Sequence, residues 1–377
     1  MPTPLETKIC ELIFHHGPVS VADYFALCLA DPEHGYYKTK EPFGREGDFT
    51  TAPEISQLFG EMIGIYLIQS WQKHQPEGKV HLVEIGPGRG ALMKDALRVI
   101  KQSSRKMFDQ ISIHMVETSP RLIEIQAKTL DKYHDKIQWH ETFEDVPEGF
   151  TLLVANELFD AIPIRQFIKT ENGFRERVVT LDSHENLMFS AGVAGIDPEL
   201  LPSNHKDQPQ GTIFEIAPAR ANVMATIADR LAKNSGSALI IDYGHLARGF
   251  GDTLQAIFRH EYDPPLAKPG LADITSHVDF ETLLHISHAA GAHIHGLMHQ
   301  GDFLVGLGLL QRAGALGHNK TPEIQNDIRS AVERLAAEGE GNMGELFKVL
   351  AISGQPLELA PFVINNTSDD TETSAHS

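Results

Sequence analysis

The segment KVHLVEIGPGRGALMKDAL, residues 79–97, constrains the fold more than any other part of this chain. A short apolar run enters a turn holding Gly86, Gly88 and Gly90, and an amphipathic stretch leaves it. Glycines at a strand-to-helix turn let a ligand lie against bare backbone at the strand's carboxyl end, where open α/β sheets bind their ligands. The alternation continues along the chain. Apolar runs at 80–85, 111–116, 137–139, 151–155 and 238–242 are separated mostly by amphipathic helical stretches, which predicts a mostly parallel sheet wrapped by helices on both faces.

The order breaks between 165 and 215. There RQFIKT, the turn Asn172-Gly173, FRERVVTL and LMFSA read as a β-meander inserted over the sheet. A helix at 218–234 leads back to the strand SALIIDYG. Apolar runs at 293–298, 302–309 and 345–352 are available to finish the sheet, with MGELFKVLAIS as its last, antiparallel strand. At the start of the chain, Leu5, Ile9, Leu12 and Ile13 sit at helical spacing before Gly17-Pro18, and Ser20 caps a second helix ended by Asp31-Pro32. Thr51-Ala52-Pro53-Glu54 has capping-box spacing ahead of an apolar face of Ile55, Leu58, Phe59, Met62, Ile63, Tyr66 and Leu67. In that helix Gly60 and Gly64 allow close packing on a second helix. The expected division is a helical extension with a covering loop over 1–75, a core over 76–365, and a tail over 366–377 that lacks apolar residues and is expected to be disordered.

Composition narrows the classes. With 377 residues, 41% hydrophobic content, 31 Gly and 21 Pro, the chain has ordinary globular usage. Asp and Glu number 51 against 32 Lys and Arg, for a net charge of −19. Such a surface repels phosphate backbones and suits a basic protein segment, so no nucleic-acid partner is expected. Cys10 and Cys28 are too few for a disulfide framework. No apolar run approaches the roughly 20 residues of a spanning helix, and the first residues lack a leader pattern. The expectation is a cytoplasmic protein without membrane insertion.

The glycine spacing is G-x-G-x-G, with Ala91 where a dinucleotide fingerprint has its third glycine. With Glu84 two residues before Gly86, the pattern resembles the S-adenosylmethionine loop of class I methyltransferases. Glu117 closes the next strand, 31 residues after Gly86. An acidic side chain there can accept both hydroxyls of a ribose, or simply cap the following helix. His140 and Glu141, after the third strand, border either an adenine or a surface turn. The fourth strand ends in Asn156, Glu157, Leu158, Phe159 and Asp160. Polar groups beside the ligand loop are candidates for handling substrate, or again for capping.

The runs GREGDFTTAPEISQLFGEMIG, VEIGPGRGALMKD, MVETSPRLIEIQ, ANELFDAIPIRQF, IDYGH, PGLADITSHVDF and GDFLVGLG together resemble the MidA-like family of S-adenosylmethionine-dependent methyltransferases, over about residues 5–355. The resemblance implies an α/β, class I (Rossmann-like) methyltransferase fold with a mostly parallel seven-stranded sheet. It implies S-adenosyl-L-methionine as cofactor, held by Glu84, Gly86, Gly88, Gly90, Glu117, Thr118 and Asn156, with Gly47, Asp48, Phe49, Thr50 and Thr51 over the same pocket. Asn156, Glu157, Asp160, Asp48 and, more remotely, Tyr243 and His245 fall on the substrate side. Mitochondrial members of the family act on an arginine of a respiratory complex I subunit, so a protein substrate of that kind is implied. Two other roles fit the same fold: methylation of a small molecule, or a cofactor-binding assembly factor without catalysis. His285, His288, His293, His295 and His299 lack carboxylate or cysteine partners at ligand spacing, so no metal is expected.

Overall fold

The computed structural model describes residues 2–39 and 51–362. Its centre is a seven-stranded sheet of β1 (Val80–Ile85), β2 (Ile111–Val116), β3 (Ile137–His140), β4 (Thr151–Asn156), β5 (Gly236–His245), β6 (His293–His299) and β7 (Phe347–Ser353), in the order β3-β2-β1-β4-β5-β7-β6. The pairs β1/β2, β2/β3, β1/β4 and β4/β5 are parallel. Only β7 runs the other way, antiparallel to both β5 and β6. The expected antiparallel last strand is therefore present, inserted one place in from the edge. Val278–Asp279 lengthens the sheet beside the end of β5.

Burial explains the strand sequences. β1 and β4 are buried at every position, as an apolar run in the middle of a two-faced sheet must be. On one face Leu82, Val154, Leu239 and Val349 pack with Phe59, Met62 and Tyr66 of α3 (Gln57–His74) and Leu97 and Ile100 of α4 (Ala91–Ser103). On the other, Val83, Leu153, Ile240 and Leu350 meet Met224, Ile227 and Leu231 of α6 (Pro218–Asn234) and Phe280 and Leu283 of α7 (Phe280–Ala289). The helix α5 (Pro120–Thr129) connects β2 to β3.

The N-terminal helices α1 (Pro4–His16) and α2 (Val21–Ala30) form as expected, each with a side-chain cap, from Thr3 and Ser20. Leu5, Ile9 and Phe25 pack them against Val179 of the meander and Ile274 of a small sheet at 255–275. The meander at 165–216 also forms, with Arg165–Thr170, Gly173–Leu181, Leu187–Gly195 and Ile213–Ile216 as its strands. Its first turn is Glu171-Asn172, one residue earlier than read, because Gly173, at φ 88°, already pairs with Thr170.

Two local expectations need correction. The run 302–309 is not a strand: Gln300–Gly306 is a helix, and Phe303, Leu304 and Leu307 are buried at helical spacing. Thr51 makes no side-chain cap; the chain extends again at Ser56, whose hydroxyl accepts from the Leu58 N–H and starts α3. The stretch 366–377 lies outside the described residues.

Candidate active site

Three left-handed glycines shape the end of β1. Gly86, Gly88 and Gly90 have φ of 68°, 52° and 78°, which side-chain-bearing residues rarely adopt. The turn is closed by the Gly90 N–H on Pro87 O at 2.8 Å and anchored to β2 by the Gly86 N–H on Val116 O at 3.1 Å. A cleft beside it is lined by Thr51, Pro53, Glu84, Gly86, Gly88, Asn156 and Glu157. The two strand ends that looked separate in sequence thus share one cavity. Gly47, Asp48, Phe49 and Thr50 lie outside the described residues.

Glu117 ends β2 beside this loop. Its Oε1 accepts from the N–H groups of Thr118 and Ser119, at 2.9 and 2.8 Å, in the turn ahead of α5; the helix is capped by Ser119, whose hydroxyl accepts from the Leu122 N–H, and not by Glu117. Thr118 is exposed. Gln126, fully buried on α5, went unnoticed in the sequence although it ends one of the recognised runs. Its amide nitrogen donates to Gly88 O at 2.8 Å and to Glu117 Oε2 at 3.2 Å, and its oxygen accepts from Trp139 Nε1 at 2.9 Å. His140 points elsewhere: its Nε2 lies 2.9 Å from Nδ1 of the buried His114.

The second half of the site is acidic. Glu157 takes a left-handed φ of 52° just past β4, a conformation costing a non-glycine residue about 1–3 kcal/mol. The strain is held by its N–H on Ile241 O at 2.9 Å. Its Oε1 accepts from the Ala52 N–H at 3.3 Å and from Asn156 Nδ2 at 3.2 Å. Asp160 Oδ2 accepts from the Tyr243 hydroxyl at 2.8 Å. Desolvation, then the charge of Asp160, pushes the Glu157 carboxyl up to about 7. Desolvation lifts Glu84 to about 8 and raises Asp160 and Asp242 as well. From the N-terminal segment Tyr37 approaches the same group; burial and the charges of Asp273, Asp160 and Glu117 raise its hydroxyl well above the ordinary range.

Three buried acceptors here, Glu84 Oε2, Asn156 Oδ1 and Asp160 Oδ1, have no hydrogen-bond partner. Orphaned acceptors cost free energy unless a ligand meets them. Acceptors of one kind, grouped beside a bare glycine turn, suit a ligand that is cationic and carries N–H donors. S-adenosylmethionine, with its ammonium and sulfonium, has that character, so the residues fit it. His245 lies apart from the carboxylates. It lines a separate, mostly apolar cavity of about 520 Å³ with Ile216, Ala221, Phe250 and His277, away from the glycine turn. The smaller cleft is the candidate site, because Glu84 and Asn156, with their unsatisfied polar atoms, line it. Among the described residues no group of His, Cys, Asp or Glu could hold a metal; His295 instead spends both ring nitrogens on Leu357 O and Ser353 Oγ.

A sheet of this order with a single reversed strand, a glycine turn after its first strand and carboxylates after the fourth define a Rossmann-like methyltransferase. The chain belongs to the family whose model is described as "Putative S-adenosyl-L-methionine-dependent methyltransferase", which matches residues 62–298. It is similar to the mitochondrial protein arginine methyltransferase NDUFAF7 of Danio rerio, 36% identical over 89% of this chain and 83% of the relative. It is also similar to the NDUFAF7 homolog of Drosophila melanogaster, 35% identical over 90% and 82%. A Burkholderia thailandensis protein crystallised with S-adenosyl-homocysteine superposes with a TM-score of 0.81 at 27% identity, covering 95% of this chain and 96% of that one. The chain is an S-adenosylmethionine-dependent methyltransferase.

Proposed function

We propose that this methyltransferase modifies an arginine side chain of a protein substrate, such as a subunit of respiratory complex I, in the cytoplasm. The observation that carries the reading is the buried pair Glu157 and Asp160 beside the cofactor cleft, with an acceptor oxygen of Asp160 unspent. The names of the mitochondrial relatives support arginine as the target. The net charge of −19 suits a basic client segment. No helix among the described residues is long and apolar enough to cross a membrane.

S-adenosylmethionine, when bound, supplies an activated methyl group, so the protein must orient the nucleophile, exclude water and manage one proton. Gly86, Gly88 and Gly90 admit the cofactor against backbone, and Glu84, Glu117 and Asn156 supply acceptors around it. Thr51 lines the cleft. A guanidinium stays protonated in water and offers five N–H donors in a fixed fork. Two carboxylates facing it neutralise the charge and fix its plane. Glu157, held near 7, is suited to accept the proton as the nitrogen becomes nucleophilic. The test is Glu157→Gln, assayed with radiolabelled S-adenosylmethionine on arginine peptides tiled across the host's complex I subunits. The variant keeps cofactor affinity and loses turnover at least a hundredfold; normal turnover removes Glu157 from the mechanism.

A further inference from the structure

The backbone of Asp160 is gripped from both sides. Its N–H donates to Asp242 Oδ2 at 3.1 Å, next to the Phe159 N–H at 2.9 Å on the same oxygen. Its carbonyl oxygen accepts from Arg220 Nη2 at 3.1 Å and from the Ser276 N–H at 3.2 Å. Arg220 is only 2% exposed, and its other donors go to Ile162 O at 3.0 Å, His277 O at 2.7 Å and the Ser276 hydroxyl at 2.5 Å. None of these acceptors is a carboxylate. The guanidinium therefore ties the loop after β4 to the loop before α7. With its backbone fixed, Asp160 turns Oδ2 to the Tyr243 hydroxyl and leaves the buried Oδ1 open.

We propose that Arg220 and Tyr243 are positioning residues that make Asp160 a directed, one-oxygen acceptor for the substrate cation, leaving Glu157 to take the proton. The inference rests on the arginine reading above. A phenol that occupies one carboxylate oxygen removes the freedom to bind a guanidinium in two equivalent ways, so the fork approaches in one orientation. It also stabilises the ionised carboxylate against its surroundings. The titratable and charged groups facing Asp160 are Arg220 from α6, Asp242 and Tyr243 from β5, Glu157 from its own loop and Tyr37 from the N-terminal segment. Of these, Tyr243 and Arg220 favour the charged form, while Glu157 and Asp242 oppose it by like charge.

The experiment titrates Nα-acetylarginine methylamide, and its neutral citrulline analogue, into the protein saturated with S-adenosyl-homocysteine from pH 6 to 9. Arginine binds at least tenfold tighter than citrulline. Tyr243→Phe lowers arginine affinity about tenfold near pH 7, the loss of one charge-assisted contact. It also moves the pH at which binding fades upward, because Asp160 without the phenol protonates more readily. Arg220→Met risks misfolding around its orphaned carbonyls, so Ser276→Ala, which removes one clamp contact without removing the cation, is measured beside it; it weakens arginine binding several-fold. Arg220→Lys recovers part of any loss seen in Arg220→Met. If Tyr243→Phe and Ser276→Ala bind the arginine probe as the wild type does, the positioning role is overturned while the arginine reading stands. If the wild type binds S-adenosyl-homocysteine but does not prefer arginine to citrulline, both are overturned.

Discussion

The side-chain amide of Gln126 lies 2.8 Å from the carbonyl oxygen of Gly88 and donates to it. That bond joins α5 to the middle of the glycine turn, and the same nitrogen reaches Glu117. One buried side chain thus bridges the glycine turn and the end of β2.

Replacing Gln126 by Leu should weaken cofactor binding with the fold intact. The substitution leaves Gly88 O, Glu117 Oε2 and Trp139 Nε1 without this partner, at about 1–3 kcal/mol for each group that water cannot reach. Calorimetry with S-adenosyl-homocysteine should show a Kd raised about ten- to a hundredfold. Wild-type affinity would mean that the turn is set by its own hydrogen bonds.

Cofactor selectivity should depend on pH. Glu84, at about 8, is protonated at pH 6 and becomes negative by pH 9. S-adenosylmethionine carries the sulfonium charge that S-adenosyl-homocysteine lacks, so its affinity relative to the product should rise across this range. Parallel titrations at several pH values read the ratio directly. A flat ratio would mean that Glu84 does not change charge between pH 6 and pH 9.

His114 is 1% exposed, with each ring nitrogen 2.9 Å from another histidine, His81 or His140. A neutral ring serves one neighbour as donor and the other as acceptor; burial and its two neighbours hold it down at about 4. The folded state therefore keeps His114 neutral, while the unfolded chain takes up a proton below about 6.5. Stability from this residue is complete above that pH and is lost as pH falls from about 6.5 toward 4, by up to about 3 kcal/mol. Denaturant unfolding at pH 7 and pH 5 should show a smaller difference for His114→Asn than for the wild type. An equal difference would assign the acid sensitivity to other groups.

Gly64 lets α3 lie directly on α4. A Cβ placed there would be 3.0 Å from Ala96 O and 3.1 Å from Ala96 Cα, atoms of a helix backbone that cannot swing aside. Gly64→Val should cost about 1–3 kcal/mol through overpacking, seen as a lower denaturation midpoint at unchanged m-value. An unchanged midpoint would show that the helices can separate at no cost.

The strand–glycine–helix segment, the alternation that follows it and the apolar faces of the N-terminal helices were legible because each is written in neighbouring residues, at periods of 2.0 or 3.6 that a local reading can count. Gly86, Gly88, Gly90, Glu117 and Glu157 were legible for the same reason: they sit at strand ends, and strand ends in a parallel sheet converge on one edge. The misread run at 302–309 shows the limit, since a short apolar run suits a strand or a helix until its neighbours decide. The roles of Gln126, Arg220 and Asp242 could not be seen at all. A buried polar residue is defined by the partners it finds, and those partners lie in other parts of the chain: Gly88 for Gln126, Asp160 and Ser276 for Arg220, the Phe159 and Asp160 amides for Asp242. Local sequence determined which elements form and at which edge of the sheet the candidate site residues gather. Tertiary structure alone decided which oxygens in that edge are already spent and which remain for a substrate, because hydrogen-bond saturation depends on distance in space.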